Sequence, residues 1–293
     1  MTPLSLIFAP ALLVSMQVGM NQPAIPLTDG HAELRDRSPQ QGDTAEPDAP
    51  VSEWLEECLD QLEAEPSRAH TMAQIRRNET SGPERVIANH CLGLAATELG
   101  LWEDARTAFL ASRDEVGASE PVLRARAGTM AGIAALAGGD GEGALALLDT
   151  AIADAQAGSA GSIEAYAQVE KARALVMFDR DEEALPALDR AVLLQAENAE
   201  SWLLKATLER RLERLAEAQA SIVRAGELAP SDPLIGLEAG RIAFLDARYD
   251  AARASWQSVA DLVPDSGEGQ MAREYITDLD SALIESAAEP EPQ

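Results

Sequence analysis

From Val51 onward, apolar residues recur three and four positions apart, in segments of roughly helical length that short turns separate. This spacing is typical of amphipathic α-helices, because it places the apolar side chains on one face of a 3.6-residue turn. After residue 50 the chain has no continuous alternation of apolar and polar positions, which is the pattern of a half-buried strand. The sequence therefore predicts an all-α protein with about a dozen helices between residues 51 and 284.

The helical segments are themselves periodic. A small residue, a second small residue, a large apolar residue and a third small residue recur with a spacing of 12, 4 and 3 positions. The sets are Gly93, Ala105, Phe109 and Ser112; Gly132, Ala144, Leu148 and Ala151; Ala172, Ala184, Leu188 and Ala191; Ala206, Ala218, Ile222 and Ala225; and Gly240, Ala252, Trp256 and Val259. Small residues let two antiparallel helices approach closely, and the large residue is expected to fill the gap between repeats.

These positions resemble the tetratricopeptide repeat family, whose motif is W-x2-L-G-x2-Y, A-x3-F, A and P across 34 residues. The repeats are 86–119, 125–158, 165–198, 199–232 and 233–266, about two-thirds of the chain. About five and six extra residues stand at the first two junctions, around 120–124 and 159–164. The family's Tyr position holds Ala96, Ala135, Leu175, Glu209 and Ala243. The resemblance implies an α-solenoid of tetratricopeptide-like helix pairs with terminal capping helices.

The remaining segments complete the predicted organisation. Residues 51–80 form a degenerate N-terminal helix pair, 267–284 a C-terminal capping helix and 285–293 a disordered tail. Residues 1–24 are a signal-like apolar leader, and 25–50 are a disordered Pro-rich tether. Leu4–Met20 suits a secretory signal, so we expect an exported, periplasmic protein. An uncleaved leader would instead anchor the chain in a membrane, and a start at Met16 or Met20 would leave it cytoplasmic.

Composition and charge exclude several classes of partner and activity. Lys and Arg number 23 against 50 Asp and Glu, giving a net charge of −27, which disfavours nucleic acid and anionic lipid as partners. The acidic residues are assigned mostly to helix exteriors and turns. Three His and two Cys offer too few ligands for a spaced structural metal site, and no catalytic or dinucleotide motif occurs. We therefore expect no enzyme activity, no cofactor, no metal and no small-molecule substrate.

The resemblance implies that the first helix of each repeat lines a concave groove. Candidate groove residues are Arg126, Tyr166, Arg173, Leu203, Arg210, Leu237, Arg241 and Phe244. One interpretation is that the arginines bind carboxylates of an acidic or extended segment, with the aromatic and leucine side chains as apolar anchors. The other is that they pair with Glu170, Glu200 and Glu238. The Lys and Asn set of the family's carboxylate clamp is missing, so chaperone binding is not implied.

Cys58 and Cys91 are 33 residues apart, nearly one repeat, which places them at similar heights on neighbouring first helices. In an oxidising compartment they could form a disulfide, and otherwise they are two small buried thiols. A thiol-redox factor is a further alternative, although such proteins normally use a close Cys-x-x-Cys pair.

The function predicted from these features is a non-enzymatic scaffold in the cell envelope that binds a peptide or protein segment in its concave groove. The first alternative is a regulatory or chaperone-like subunit of an envelope complex. The second and less favoured alternative is a thiol-redox factor that uses Cys58 and Cys91.

Overall fold

The structure, a computed structural model, describes residues 53–288 of the chain, with side chains to residue 284. The leader and tether predicted for residues 1–50 lie outside this range. Within it the chain forms thirteen helices and no strand, which confirms the all-α class. The helices are α1 (Glu53–Ala64), α2 (Pro66–Glu79), α3 (Pro83–Glu98), α4 (Trp102–Glu115), α5 (Pro121–Ala137), α6 (Gly141–Ala157), α7 (Gly161–Met177), α8 (Asp181–Leu194), α9 (Ala199–Arg211), α10 (Leu215–Leu228), α11 (Pro233–Leu245), α12 (Tyr249–Leu262) and α13 (Gly267–Ala288).

Helix starts follow the local sequence. Proline occupies the first turn of four helices, where its missing N–H would have no intrahelical partner. The side chains of Asp140, Asn198 and Asp232 cap α6, α9 and α11 by accepting hydrogen bonds from backbone amides at 3.0, 2.9 and 2.8 Å. These caps set where each helix begins and therefore how it faces its neighbour.

The turn inside each predicted repeat has one backbone form. The fifteenth repeat residue is left-handed in all five, with φ of 69° at Gly100, 84° at Gly139, 56° at Asp179, 59° at Glu213 and 56° at Ala247. The next backbone amide then bonds back to the carbonyl five residues earlier, as in Leu101 to Ala96 at 2.8 Å. Residue type favours this conformation at the two glycines and, more weakly, at Asp179, but not at Glu213 or Ala247.

Consecutive helices pack against each other along the whole described range, and short turns make them antiparallel. First helices also contact one another, α5 with α7, α9 with α11 and α11 with α13. The cores lie between the two helices of each pair and between neighbouring pairs. The result is a stack of helix pairs in which the first helices share one face, the solenoid that the repeat predicted.

The small and large repeat positions meet inside each pair. A Cβ placed on Gly93 would lie 2.5 Å from Phe109 Cε1, and one on Gly132 would lie 2.7 Å from Leu148 Cγ. At the same position in the last repeat, a Cβ on Gly240 would collide with the indole of Trp256. Glycine at these positions therefore allows the close helix approach on which the pair depends.

We expect Gly240→Ala to lower the free energy of unfolding by roughly 1–2 kcal/mol, because the new methyl group forces Trp256 out of its buried position. Gly226→Ala is the matched control, since this helical glycine has only Ile235 Cγ2 near its added Cβ, at 3.8 Å. That variant should gain about 0.5 kcal/mol from reduced chain entropy. Urea unfolding followed by circular dichroism tests both, and equal effects of the two substitutions would contradict the close-packing explanation.

The extra residues at the first two junctions lie mostly in helices, because residues 121–124 begin α5 and residues 161–164 begin α7. Both helices therefore have 17 residues, against 13 in α9 and α11. The capping helix α13 runs to Ala288, four residues beyond the predicted end of the cap. Two alanines favour helix there, and the chain reaches Pro290 only two residues later. The division of the chain into repeats stays a prediction.

Candidate interaction face

The first helices α5, α7, α9 and α11 carry the side chains predicted to line the groove, and the first helix α3 and the capping helix α13 flank them. We call their shared surface the first-helix face. On this face most of the predicted arginines are paired with carboxylates, whereas the predicted apolar side chains differ in exposure.

Arg173 lies between two carboxylates. Its Nη1 is 2.9 Å from Glu170 Oε1 on the same helix, α7, and its Nη2 bonds to Glu200 on α9. Tyr166 is close enough to contribute to the electrostatic surroundings of Arg173. The guanidinium therefore ties two neighbouring first helices together instead of facing an open groove.

Arg210 and Arg241 make the corresponding contacts further along. Arg210 on α9 pairs with Glu238 on α11. Arg241 lies 3.5 Å from the other oxygen of Glu238, bonds to the hydroxyl of Tyr275 on α13 and stacks over that ring at 5.1 Å. Three arginines thus join α7 to α9, α9 to α11 and α11 to α13. Of the two interpretations offered for these arginines, the structure shows the one in which they pair with Glu170, Glu200 and Glu238.

Arg126 is different. It is exposed on α5 and makes no ion pair with any residue from 53 to 284. On the described first helices it is the one predicted groove arginine whose guanidinium is not already held by a carboxylate of this chain.

The apolar candidates divide by exposure. Tyr166 is 43% exposed on α7, whereas Leu203 and Phe244 are half-buried, the latter with its ring 6.2 Å from that of Trp256. Leu237 is only 4% exposed, so its prediction as an accessible anchor is wrong. It faces inward at the repeat's fifth position, where its carbonyl accepts a hydrogen bond from the Trp256 indole at 3.1 Å.

Leu234 was not chosen as an anchor, yet it is 52% exposed. It occupies the second repeat position in α11, as Tyr166 does in α7, and this shared position is the signal that could have identified it. Met271, 38% exposed, continues the apolar surface onto the capping helix beside Arg241.

Four glutamates are buried in the first helices and are exceptions to the mostly exterior placement predicted for the acidic residues. They are Glu164, Glu170, Glu209 and Glu238, all at most 5% exposed. Burial raises the pKa of Glu170 above its ordinary value of 4.5, although Arg173 opposes the shift. The hydrogen bond from Arg190 instead lowers the pKa of Glu164. The recurrence of Glu-x-x-Arg at 170–173 and 238–241, in the same repeat positions, was an available signal.

Cys58 on α1 and Cys91 on α3 are fully buried and paired, with Cα atoms 6.4 Å apart. Ala73, Leu92 and Ala108 complete the small core around them. Thiol-disulfide exchange requires an accessible thiolate, so this burial argues against the thiol-redox alternative. Occupation of the disulfide in the native compartment stays a prediction.

The described residues also bear on the predictions about a membrane anchor and a metal site. Between residues 53 and 288, no helix combines the length and apolar character needed to cross a bilayer. Among the residues that the structure describes, no three His, Cys, Asp or Glu side chains group in a way that could hold a metal ion.

No family model matches the sequence, and neither does any curated protein. Solved structures do. The MamA protein of Desulfovibrio magneticus RS-1, from residue 41 to its end, is 16% identical with a TM-score of 0.53, over 64% of this chain and 99% of that one. YrrB, described as a TPR protein with an unusual peptide-binding site, is 18% identical with a TM-score of 0.50, over 70% and 98%. Pseudomonas aeruginosa pilF is 14% identical with a TM-score of 0.59, over 76% and 96%. At these identities the likeness concerns the fold, and the described part of the chain has the fold of tetratricopeptide-repeat solenoids.

Proposed function

We propose that this protein is a non-enzymatic scaffold that holds an extended peptide or protein segment of a partner along the first-helix face. The observation that carries the proposal is the pair of exposed apolar side chains at the same position of two repeats, Tyr166 on α7 and Leu234 on α11. They lie on two first helices, α7 and α11, with α9 between them in chain order. One of the similar structures, YrrB, is described as having an unusual peptide-binding site.

The ion pairs of the first-helix face support a preformed binding surface. Because Arg173, Arg210 and Arg241 fix the spacing between successive first helices, a partner does not have to order these helices when it binds. The same pairing neutralises these three arginines, so we infer that apolar contacts contribute most of the affinity and that Arg126 supplies the remaining positive charge. A partner that depends on several carboxylates fits this surface less well.

The setting of the function is part of the proposal. We propose an exported protein in the cell envelope, on the strength of the leader in the sequence. A regulatory or chaperone-like subunit of an envelope complex would use the same face and the same contacts. No membrane contact is proposed beyond an anchor formed by an uncleaved leader.

Site-specific photo-crosslinking in native cells tests the proposal. A photoreactive residue in place of Tyr166 or Leu234 in the full-length chain should capture the same partner. The same residue in place of Leu193 or Val223 is the matched control, because these apolar side chains are 73% and 49% exposed but lie on the second helices α8 and α10. Adducts of equal yield and identity at all four positions would contradict binding at the first-helix face.

A further inference from the structure

The five turns that join the first and second helices of the predicted repeats form a second surface. They comprise residues 98–104, 137–143, 177–183, 211–217 and 245–251, which we call the turn edge. Neighbouring turns touch. Arg106 Nη1, two residues beyond the first turn, lies 2.7 Å from Asp140 Oδ2 in the second turn, and Arg211 Nε in the fourth lies 2.8 Å from Asp181 Oδ2 in the third. The ring of Phe178 in the third turn lies against Gly141 in the second, and Arg248 in the fifth bonds to Gln219, two residues beyond the fourth. The turn edge is therefore one continuous surface along the stack.

Exposed apolar side chains are concentrated on this surface. The turn edge makes up about one-seventh of the described residues. It nevertheless holds six of the 16 large apolar side chains that are exposed in the described part of the chain. They are Leu99, Leu101, Met177, Phe178, Leu245 and Tyr249, between 39% and 62% exposed. Exposed apolar side chains that cluster in this way commonly mark an interaction site.

The same surface is acidic. Its five segments carry 13 carboxylates and four arginines. All four arginines, Arg180, Arg211, Arg214 and Arg248, already pair with carboxylates of this chain. Several acids stand in the first turns of the second helices, where the helix dipole favours negative charge. The helix dipole explains why each helix start tolerates these acids, but it does not balance the excess negative charge of the whole turn edge.

We propose that the turn edge is a second docking surface, which binds a basic amphipathic segment of another protein. Apolar side chains of that segment would cover Leu99, Met177 and Leu245, and its Lys or Arg side chains would meet the surrounding carboxylates. Apolar burial and charge complementarity then act together, and neither the acidic residues nor the exposed leucines alone would select such a partner. With the first-helix face, this surface would let one chain hold two partners at once.

A designed peptide probe tests the binding of basic amphipathic segments. Full-length protein is titrated with a labelled synthetic peptide of Leu and Lys that is amphipathic as a helix. Two control peptides change one property each, with Glu in place of Lys and with Ser in place of Leu. We expect the Leu–Lys peptide to bind at least about tenfold tighter than either control, with affinity that falls as salt is added. Equal binding of the Ser–Lys peptide would reduce the effect to charge attraction and overturn the proposal.

Variants locate the binding on the molecule. Replacing Met177 and Leu245 with Ser should weaken the Leu–Lys peptide about tenfold or more. The matched control replaces Leu193 and Val223 with Ser, which removes comparably exposed apolar side chains from second-helix exteriors and should leave binding unchanged. All four positions are at least 49% exposed, so both double variants should keep the unfolding midpoint of the parent.

Two other outcomes would reject the turn edge. The first is equal binding by the Met177 and Leu245 variant and the parent. The second is a loss that appears only when Tyr166 and Leu234 are replaced with Ser. That result would assign the peptide to the first-helix face, so it would overturn this inference and leave the proposed function standing.

Discussion

Replacing Arg173 with alanine is expected to lower the free energy of unfolding by about 3 kcal/mol at pH 8. The physical reason is that Glu170 would keep a buried negative charge, 5% exposed, with no cation beside it. The contact between α7 and α9 through Glu200 would be lost as well. We place the effect at the low end for a broken buried pair because the Arg173 side chain is itself 30% exposed. Urea unfolding monitored by circular dichroism measures it.

The loss should depend on pH in a definite direction. Burial already raises the pKa of Glu170 above 4.5 in the folded protein, and Arg173 is the group that holds the shift back. Without Arg173 the folded-state pKa rises further, so the folded variant binds a proton more tightly than the unfolded chain does. As pH falls through that raised pKa, the buried carboxyl becomes neutral, and the stability difference from the parent shrinks. A difference that stays constant from pH 8 to pH 5 would contradict a buried charge.

Two further variants separate this cause from general damage. Glu170→Gln in the Arg173→Ala background removes the buried charge, so it should restore a large part of the lost stability. Arg224→Ala is the matched control. Arg224 also binds two glutamates, Glu197 and Glu227, but their side chains are 80% and 59% exposed. Its loss should cost under about 1 kcal/mol. If the Arg224 variant lost as much as the Arg173 variant, burial would not be the explanation.

The fold could be predicted from the sequence because it depends on a pattern that recurs. The pairing of Gly93 with Phe109 and of Gly240 with Trp256 is a relation between positions 16 residues apart within one repeat. Five copies of that relation predict the helix pairs, although none of the five repeats has the family's Tyr. The helix ends were less certain, because one extra turn of α5 and a five-residue loop look alike in composition.

The interaction face could be predicted only in part, because it depends on the rotation of each helix. The sequence placed arginines and glutamates on adjacent first helices, and both open and paired arginines fitted that placement. The structure resolves this through distances such as 2.9 Å between Arg173 and Glu170, which no spacing rule supplies. Leu237 failed as an anchor for a related reason. A leucine at a predicted groove position looks the same in sequence whether its side chain faces a partner or, as Leu237 does, the buried core that contains Trp256.

We expect protein taken from its native compartment to contain a disulfide between Cys58 and Cys91. Their Cα atoms are 6.4 Å apart, within the range that a disulfide spans, and within the described residues α1 and α2 pack mainly against α3. Closing a loop of 33 residues removes unfolded-chain entropy worth about 3.7 kcal/mol on the chain-entropy model. That contribution would add to the packing of α2 against α3 in holding the first helix pair onto the array.

Mass spectrometry and hydrogen exchange test this expectation together. Tryptic digestion without reductant should give a single species that joins the peptides 38–68 and 86–106. The double variant Cys58→Ala and Cys91→Ala should then show faster amide exchange in α1 and α2, while α9 to α12 stay as protected as in the parent, because repeats contact only their neighbours.

Two free thiols in native protein would reject the disulfide and favour the cytoplasmic alternative. Unchanged exchange in α1 and α2 of the variant would instead show that packing around Cys58 and Cys91 suffices to hold the first helix pair.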